Sequence, residues 1–151
     1  MNNTIYFDMD GTIADLYGVE NWQPMLESHN AHPYKIAEPL IDTYLAESLL
    51  LQLQENGIRI GVVSWLAKNS SKEYDKAVRS AKKEWLQNHF PNLTFDETHF
   101  VKYGTRKDYI VKDKLGIIFD DDERVRENWK GFPVNPNEKD ICELLQELCG
   151  A

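Results

Sequence analysis

The sequence predicts an α/β fold: a Rossmann-like three-layer sandwich with a mainly parallel, five-stranded sheet. Short apolar segments rich in β-prone residues alternate with amphipathic segments, which is the order of a parallel sheet covered by helices on both faces. Strands are predicted at about 4–9, 58–64, 99–103, 117–119 and 132–135. In such a sheet, ligands bind beyond the carboxyl ends of the strands.

Helices are predicted between these strands. One begins at Pro39 and ends at Asn56, with Gly57 as its C-cap. Its apolar positions recur at helical spacing, at Leu40, Tyr44, Leu45, Leu49 and Leu53. The others are predicted at 71–89, shortly after Thr105, at 123–130 and at 138–149.

The composition indicates one globular domain over residues 1–151, with 42% hydrophobic and 28% charged residues. A net charge of −8 disfavours a nucleic-acid polymer or an anionic membrane surface as the main partner. No segment is apolar enough to span a bilayer, and the N-terminus lacks a signal-peptide pattern. Cys142 and Cys149 lie about 10 Å apart along a predicted helix, too far to form a disulfide. We therefore expect free thiols, a cytoplasmic location, and a monomer or weak homodimer.

The most informative segment is residues 4–12, an apolar run that ends in two carboxylates, a glycine and a hydroxyl. Because side chains alternate along a strand, Asp8 and Asp10 leave its tip on the same side, opposite Met9. Two such close charges require a cation or a shared proton. Gly11 permits a sharp turn that presents its amide to the tip. An ordinary turn rich in Asp and Gly is the alternative.

Polar residues also follow the next two strands. Ser64 ends the second strand, where a serine often caps the following segment. Lys107 is expected in the first turn of a helix with Thr105 as N-cap and Asp108 completing a capping box. A lysine there opposes the helix dipole unless an anion binds nearby. Lys102 is the competing candidate for a lysine that binds such an anion. For each of the two lysines, the alternative is a solvated side chain on the surface.

The fourth predicted strand, 117–119, runs directly into four acidic residues. Such a cluster requires a counter-ion, and Mg²⁺ prefers oxygen ligands, including one or two carboxylates. Asp120 is the expected direct ligand, while Asp121 supports it or holds a metal-bound water. Asp122 and Glu123 fit an N-cap and a first-turn acid of the next helix.

These segments together resemble the four motifs of the haloacid-dehalogenase-like (HAD) superfamily of phosphohydrolases, in its small-cap phage and bacterial type. The motifs are Asp8-Met-Asp-Gly-Thr12, Ser64, Lys107 and the pair Asp120-Asp121. They occur in the family's order, each at the end of a predicted strand.

The resemblance implies that Asp8 attacks phosphorus to form an aspartyl-phosphate and that Asp10 is the general acid and base. It implies a phosphate site formed by Met9, Gly11, Thr12, Ser64 and Lys107. It also implies a Mg²⁺ site formed by Asp8, Asp10 through its backbone carbonyl, Asp120 and Asp121.

The family places a substrate-selecting cap after the first strand, which here implies a small cap at about 16–38. The cap contains three aromatic residues, Tyr17, Trp22 and Tyr34, and Trp65 follows Ser64 in the sequence. These side chains either contact substrate or pack the cap. His29 and His32 suggest a metal pair, but no third ligand is evident.

A looser similarity concerns the 5'(3')-deoxyribonucleotidases and suggests a nucleoside monophosphate as substrate. It rests on Tyr103-Gly-Thr-x-Lys107, the Asp pair, and Trp129 with Gly131. The chain departs from those enzymes in its much shorter cap and in its Ser64-Trp65 pair.

The expected function is therefore Mg²⁺-dependent hydrolysis of a small phosphomonoester. The alternative is a non-catalytic phosphate-binding or receiver-like signalling module. A receiver requires an acceptor Asp after the third strand, where this chain has Val101-Lys102-Tyr103. A polynucleotide substrate would require a basic groove, but the lysines between Lys68 and Lys83 alternate with acids and are predicted on a solvated helix face.

Overall fold

The structure is a computed structural model that describes residues 3–150. Its strands are β1 (Thr4–Phe7), β2 (Ala14–Asp15), β3 (Glu38–Pro39), β4 (Arg59–Trp65), β5 (Glu97–Val101), β6 (Ile117–Phe119) and β7 (Phe132–Val134). Five of them form a parallel sheet in the order β5-β4-β1-β6-β7, while β2 and β3 pair with each other antiparallel. The predicted fold class is confirmed.

Seven helices cover or extend this sheet in the described residues. They are α1 (Trp22–Glu27), α2 (His32–Ile36), α3 (Thr43–Glu55), α4 (Lys72–His89), α5 (Lys107–Ile110), α6 (Glu123–Asn128) and α7 (Ile141–Gly150), with a 3-10 turn at Leu16–Gly18. None of these helices has the length and apolar character that crossing a membrane requires. The two cysteines are free, as expected.

Alternating side chains of β1 supply the cores on both faces of the sheet. Ile5 and Phe7 belong to the larger core, which the buried faces of α3, α4 and α7 complete. Tyr6 points into the smaller core, where its ring lies 5.8 Å from that of Trp129 in an edge-to-face arrangement. Both faces are thus covered, which gives the three predicted layers.

The register of the central strands aligns their carboxyl ends. Phe7 lies opposite Val62 of β4 and opposite Phe119 of β6. The Asp8 amide then donates to the Phe119 carbonyl at 2.9 Å. The residues that follow β1 and β6 therefore emerge side by side, next to the last part of β4, which continues to Trp65.

The helix predicted from Pro39 begins later, at Thr43. Pro39 lies in β3 opposite Ala14, and the Asp42 side chain caps α3 by accepting from the Leu45 amide at 3.1 Å. The buried face also differs from the predicted one, since Tyr44, expected on the apolar side, is 88% exposed. The buried residues of α3 are Ala46, Glu47, Leu50 and Leu53.

The segment between β2 and β3 contains the 3-10 turn, α1 and α2. Pairing of the two short strands brings the ends of this insertion together. Its middle is tied to the α4 side of the molecule, because Tyr74 Oη donates to the Asn30 carbonyl at 3.0 Å. The His29 ring also lies 2.9 Å from the Asn69 carbonyl and stacks on Tyr74.

Candidate active site

Three carboxylates from distant parts of the chain meet at the carboxyl edge of the sheet. Asp8 follows β1, while Asp120 and Asp121 follow β6. One oxygen of each lies within 4.8 Å of the other two. Asp8 is 6% exposed and Asp120 is fully buried, so these charges are largely removed from water.

Lys107 is the cation that joins these acids. Its Nζ donates to Asp8 Oδ1 at 2.9 Å and to Asp120 Oδ2 at 2.7 Å. Burial works against the charged amine, but the two carboxylates outweigh it and raise the pKa of Lys107. Lys102 is exposed and lies outside this cluster, so the structure selects Lys107 between the two candidates.

The local structure around Lys107 differs from the predicted capping box. α5 begins at Lys107 itself, and Arg106, rather than Thr105, occupies the N-cap. The Thr105 hydroxyl donates to the Lys102 carbonyl at 2.7 Å. Asp108 binds the Arg106 guanidinium through two hydrogen bonds, at 2.8 and 2.7 Å, and not the backbone amide of Thr105 that the predicted capping box requires.

The loop after β1 holds two of the acids through Thr12. Thr12 Oγ1 donates to Asp8 Oδ2 at 3.0 Å and accepts from the Asp121 amide at 3.2 Å. Gly11 has φ +82°, as the sharp turn requires, and an added Cβ would lie 2.3 Å from Asp121 Oδ2. Glycine at this position therefore allows the loop and Asp121 to approach each other.

Two residues of the predicted phosphate site, Met9 and Gly11, form backbone hydrogen bonds within the loop after β1. The Gly11 amide donates to the Ala14 carbonyl at 2.9 Å, so it does not face the strand tip as expected. The Met9 side chain is buried in the larger core. Its carbonyl accepts from the amides of Thr12, Ile13 and Ala14, each at 3.0 Å.

Negative charge exceeds positive charge at this centre. Burial, followed by the charge of Asp8, raises the pKa of both Asp120 and Asp121. Lys107 opposes the shift at Asp120, to which it is hydrogen-bonded. The three acids therefore repel one another unless a proton or a cation is added.

The donor set fits a divalent cation of the Mg²⁺ type. Carboxylate oxygens are its preferred protein ligands, and opposite ligands of one Mg²⁺ lie about 4.2 Å apart, twice the usual bond length. One oxygen of each of the three acids lies within 4.8 Å of the others, which is close enough for the three side chains to share one ion after small movements. Asp122 is used elsewhere, because its side chain caps α6 by accepting from the Arg124 amide at 2.8 Å, as predicted.

Asp10 faces a second buried cation, Lys82. Lys82 Nζ donates to Asp10 Oδ2 at 2.8 Å, to Ser64 Oγ at 2.7 Å and to the Trp65 carbonyl at 3.1 Å. Burial raises the pKa of Asp10, while the Lys82 charge opposes that rise. The side chain of Asp10 is thus paired with a different lysine from the one that contacts Asp8 and Asp120.

The prediction of a solvated charged face for this helix is wrong at Lys82. It was expected on a solvated face, yet its side chain is only 1% exposed. Ser64, the predicted phosphate ligand, is fully buried and accepts a hydrogen bond from Lys82. The signal that identifies Lys82 is its position in the apolar stripe of α4, which comprises Tyr74, Val78, Ala81, Trp85 and Leu86.

A cavity of about 780 Å³ opens above the acids. Asp8, Asp10, Lys107, Asp120 and Asp121 form its polar floor. Its walls are rich in aromatic side chains from the insertion and from the ends of β4 and β5, namely Tyr17, Trp22, Tyr34, Trp65 and Tyr103.

The aromatic residues of the wall are held by specific contacts. Trp65 Nε1 donates to the Thr105 carbonyl at 2.8 Å, and the Trp65 and Tyr103 rings lie 4.9 Å apart. The rings of Tyr17 and Trp22 meet edge to face at 5.0 Å. The predicted histidine pair does not enter this cavity: His29 contacts Asn69 and Tyr74, and the His32 amide donates to Asn30.

Comparison with known proteins shows structural similarity but identifies no family. No protein-family model matches the chain, and no curated protein matches its sequence. A chain in the structure of a Pnkp1/Rnl/Hen1 complex superposes with a TM-score of 0.53 at 17% identity. The match covers 89% of this chain and 46% of that chain, so the protein spans about half the length of its structural neighbour. At this identity the match shows a shared fold alone.

These findings overturn the family assignment made from the motifs. Membership of the haloacid-dehalogenase-like superfamily, with its looser similarity to the deoxyribonucleotidases, is wrong: no family model supports it, and the solved neighbour belongs to the Pnkp1/Rnl/Hen1 complex. Short motifs at strand ends can arise wherever a parallel sheet gathers polar residues at one edge. Trp129 and Gly131, which contributed to the looser similarity, have structural roles here. Trp129 Nε1 donates to the Gly116 carbonyl at 2.9 Å, and a Cβ on Gly131 would lie 2.3 Å from that same oxygen.

Proposed function

We propose that this protein is a Mg²⁺-dependent phosphomonoester hydrolase that acts through an aspartyl-phosphate on Asp8. The observation that carries the proposal is the pairing of a buried carboxylate with Lys107 beside two further acids, on the floor of an open cavity. A second acid, Asp10, lines the same floor in a different electrostatic environment. Two carboxylates whose surroundings differ in this way are suited to two chemical roles.

In the first half-reaction, Asp8 attacks phosphorus and Asp10 protonates the leaving oxygen. The hydrogen bonds from Lys107 and Thr12 orient the Asp8 carboxylate for attack. The raised pKa of Asp10, caused by burial, favours the protonated form that a general acid needs.

In the second half-reaction, Asp10 accepts a proton from the water that attacks the aspartyl-phosphate. Lys107 lies close enough to Asp8 to stabilise the charge of the phosphoryl oxygens in both steps. Mg²⁺ held by Asp8, Asp120 and Asp121 would neutralise phosphoryl charge and orient the substrate. Thr12 keeps Asp8 and Asp121 in place throughout.

The substrate we propose is a small phosphorylated metabolite such as a nucleoside monophosphate. A cavity of about 780 Å³ is much larger than a phosphate and falls within the range of about 300–1,000 Å³ typical of sites for drug-sized ligands. Aromatic side chains such as Trp65 and Tyr103 give it surfaces suited to a planar base. We further propose that the protein acts in the cytoplasm, as a monomer or weak homodimer.

The test is a phosphatase screen with and without Mg²⁺, using nucleoside monophosphates, sugar phosphates and nitrophenyl phosphate. We expect Mg²⁺-dependent release of inorganic phosphate that Asp8→Asn abolishes without unfolding the protein. Asp42→Asn is the matched control, because asparagine replaces aspartate well at the N-cap of α3.

The screen also separates hydrolysis from a receiver-like function. A receiver would accept one phosphoryl group per chain from a small donor and would show no turnover. Stoichiometric labelling of Asp8 without turnover, or turnover that survives in Asp8→Asn, would reject the proposal.

A further inference from the structure

We propose that Lys82 is a positioning residue that aims Asp10 at the leaving group of the substrate. The inference rests on the proposed hydrolase function and extends it to a residue beneath the cavity floor. Lys82 lies in the middle of α4 and donates to Asp10, whereas Lys107 donates to Asp8 and Asp120. It therefore acts on Asp10 alone among the four carboxylates of the site.

Lys82 has no proton left with which to bind substrate. An ammonium group has three donors, and Lys82 directs them to Asp10 Oδ2, Ser64 Oγ and the Trp65 carbonyl. The Tyr34 ring, with its centroid 5.1 Å from Nζ, covers the same group. Because the amine is saturated and only 1% exposed, it acts through its partners.

Two of those partners anchor the lysine rather than depend on it. Ser64 and Trp65 are consecutive residues of β4, a central strand of the sheet. Trp65 is fixed in turn by its indole hydrogen bond to the Thr105 carbonyl. The rigid strand thus sets the position of the Lys82 amine, and the amine sets that of Asp10.

The bond from Lys82 also distinguishes the two oxygens of Asp10. Because Lys82 donates to Oδ2, Oδ1 is the oxygen that remains free to exchange a proton with the substrate. The Asp10 side chain is 16% exposed and lines the cavity, whereas Ser64 and Lys82 lie below it. The free oxygen is therefore the one available to a ligand.

The step balances with these groups. A bond forms between Asp8 and phosphorus, the bond from phosphorus to the leaving oxygen breaks, and the Asp10 proton moves to that oxygen. Asp10 becomes a carboxylate that keeps its hydrogen bond from Lys82. When water cleaves the aspartyl-phosphate, its proton returns to Asp10.

The test compares kcat/KM for two substrates in Mg²⁺-saturated protein. An alkyl phosphomonoester, such as a nucleoside monophosphate, requires a proton on its leaving oxygen, whereas nitrophenyl phosphate releases a stable anion. General acid catalysis contributes about 100-fold or more, so Lys82→Met should lower kcat/KM by about 100-fold for the alkyl ester and by less than about fivefold for the aryl ester. Since kcat/KM reports the steps up to release of the leaving group, it isolates the first half-reaction.

Controls distinguish positioning from general damage. Lys83→Met alters the exposed neighbour on the same helix and should change neither value. Asp10→Asn should show the same difference between substrates, and adding Lys82→Met to it should cause no further loss. Equal losses on both substrates, or additive losses in the double variant, would overturn the role of Lys82.

Ser64→Ala provides a second route if Lys82→Met does not fold. It removes one anchor of the lysine and should lower the alkyl-to-aryl ratio of kcat/KM by about tenfold, whereas loss of a phosphate ligand would lower both values equally. An unchanged ratio in this variant would overturn the inference. If the wild-type protein hydrolyses neither ester, the proposed function itself fails.

Discussion

Buried carboxylates occupy both ends of the same sheet, and their surroundings are opposite in character. Glu97 begins β5 and accepts hydrogen bonds from Tyr6 at 2.8 Å, His99 at 2.9 Å and the Lys112 amide at 3.2 Å. Burial works to raise its pKa, but these donors outweigh burial and lower the pKa of Glu97. At the carboxyl edge, by contrast, burial and mutual repulsion raise the pKa of Asp120 and Asp121.

Glu97 is therefore an acid that is satisfied within the fold, whereas the acids at the carboxyl edge require a further ligand. Glu97 has enough donors among its neighbours to remain ionised without help. The cluster of Asp8, Asp120 and Asp121 shares a single lysine, Lys107, as its hydrogen-bonded cation. Perturbed acids in a cavity are typical of functional sites.

The first prediction concerns Mg²⁺ affinity. Asp120→Asn should weaken Mg²⁺ binding by at least about 100-fold, since even residues that only support metal ligands alter affinity by about 10- to 100-fold. Isothermal titration calorimetry measures the effect. Asp122→Asn is the matched control, because that side chain caps α6 and pairs with Arg124. Equal affinity in the two variants would exclude Asp120 as a ligand.

The second prediction concerns the opposite end of the sheet. Glu97→Gln removes the charged acceptor of three hydrogen bonds and should lower the free energy of unfolding by about 2 kcal/mol. Urea denaturation measures this loss, and the exposed Glu55→Gln serves as its control. Mg²⁺ affinity should not change. A change in Mg²⁺ affinity would mean that Glu97 and the acids at the carboxyl edge are coupled, and would contradict their separate roles.

The third prediction concerns pH in Mg²⁺-free buffer. Because folding raises the pKa of Asp120 and Asp121, the folded state binds more protons than the unfolded state above about pH 4, where a free aspartate ionises. The free energy of unfolding should therefore fall as pH rises through neutrality, by on the order of 2 kcal/mol. Saturating Mg²⁺ should remove most of this slope. A stability that instead rises with pH would contradict the charge imbalance.

The acids of the site were predictable because the information is local. An apolar strand that ends in acids, as at Asp8 and Asp120, marks the carboxyl edge of a parallel sheet wherever that strand lies. The alternation of strands and helices was enough to bring both ends of the chain to this edge. Lys107 was also found, but from a capping box that does not form, so its position was correct while its local structure was not.

Lys82 was missed because charge alternation along α4 dominated the interpretation of that helix. Lys82 has charged neighbours at Lys83 and Glu84, yet it follows Ala81 on the face that carries Trp85. A lysine on an apolar helix face requires a buried acceptor, and that acceptor, Asp10, lies on a different element. The pairing depends on tertiary structure.

The start of α3 could not be placed for a related reason. Pro39 is common in the first turn of a helix, but here it pairs with Ala14 across the base of the insertion. That pairing depends on how the intervening segment folds back, which local sequence does not specify. The helix consequently begins after Asp42, and Tyr44 lies on its exposed side.

The final prediction uses Asp121, which faces Asp8 across the Thr12 hydroxyl. Asp121→Asn removes one of three mutually repelling charges while keeping the shape of the side chain. It should raise the free energy of unfolding in Mg²⁺-free buffer by about 1 kcal/mol. With saturating Mg²⁺ the advantage should disappear, because the ion then stabilises the wild-type acids more than the variant. Thermal unfolding with and without Mg²⁺ measures both effects, and a variant less stable than wild type in both buffers would show that Asp121 serves the fold in the way that Glu97 does.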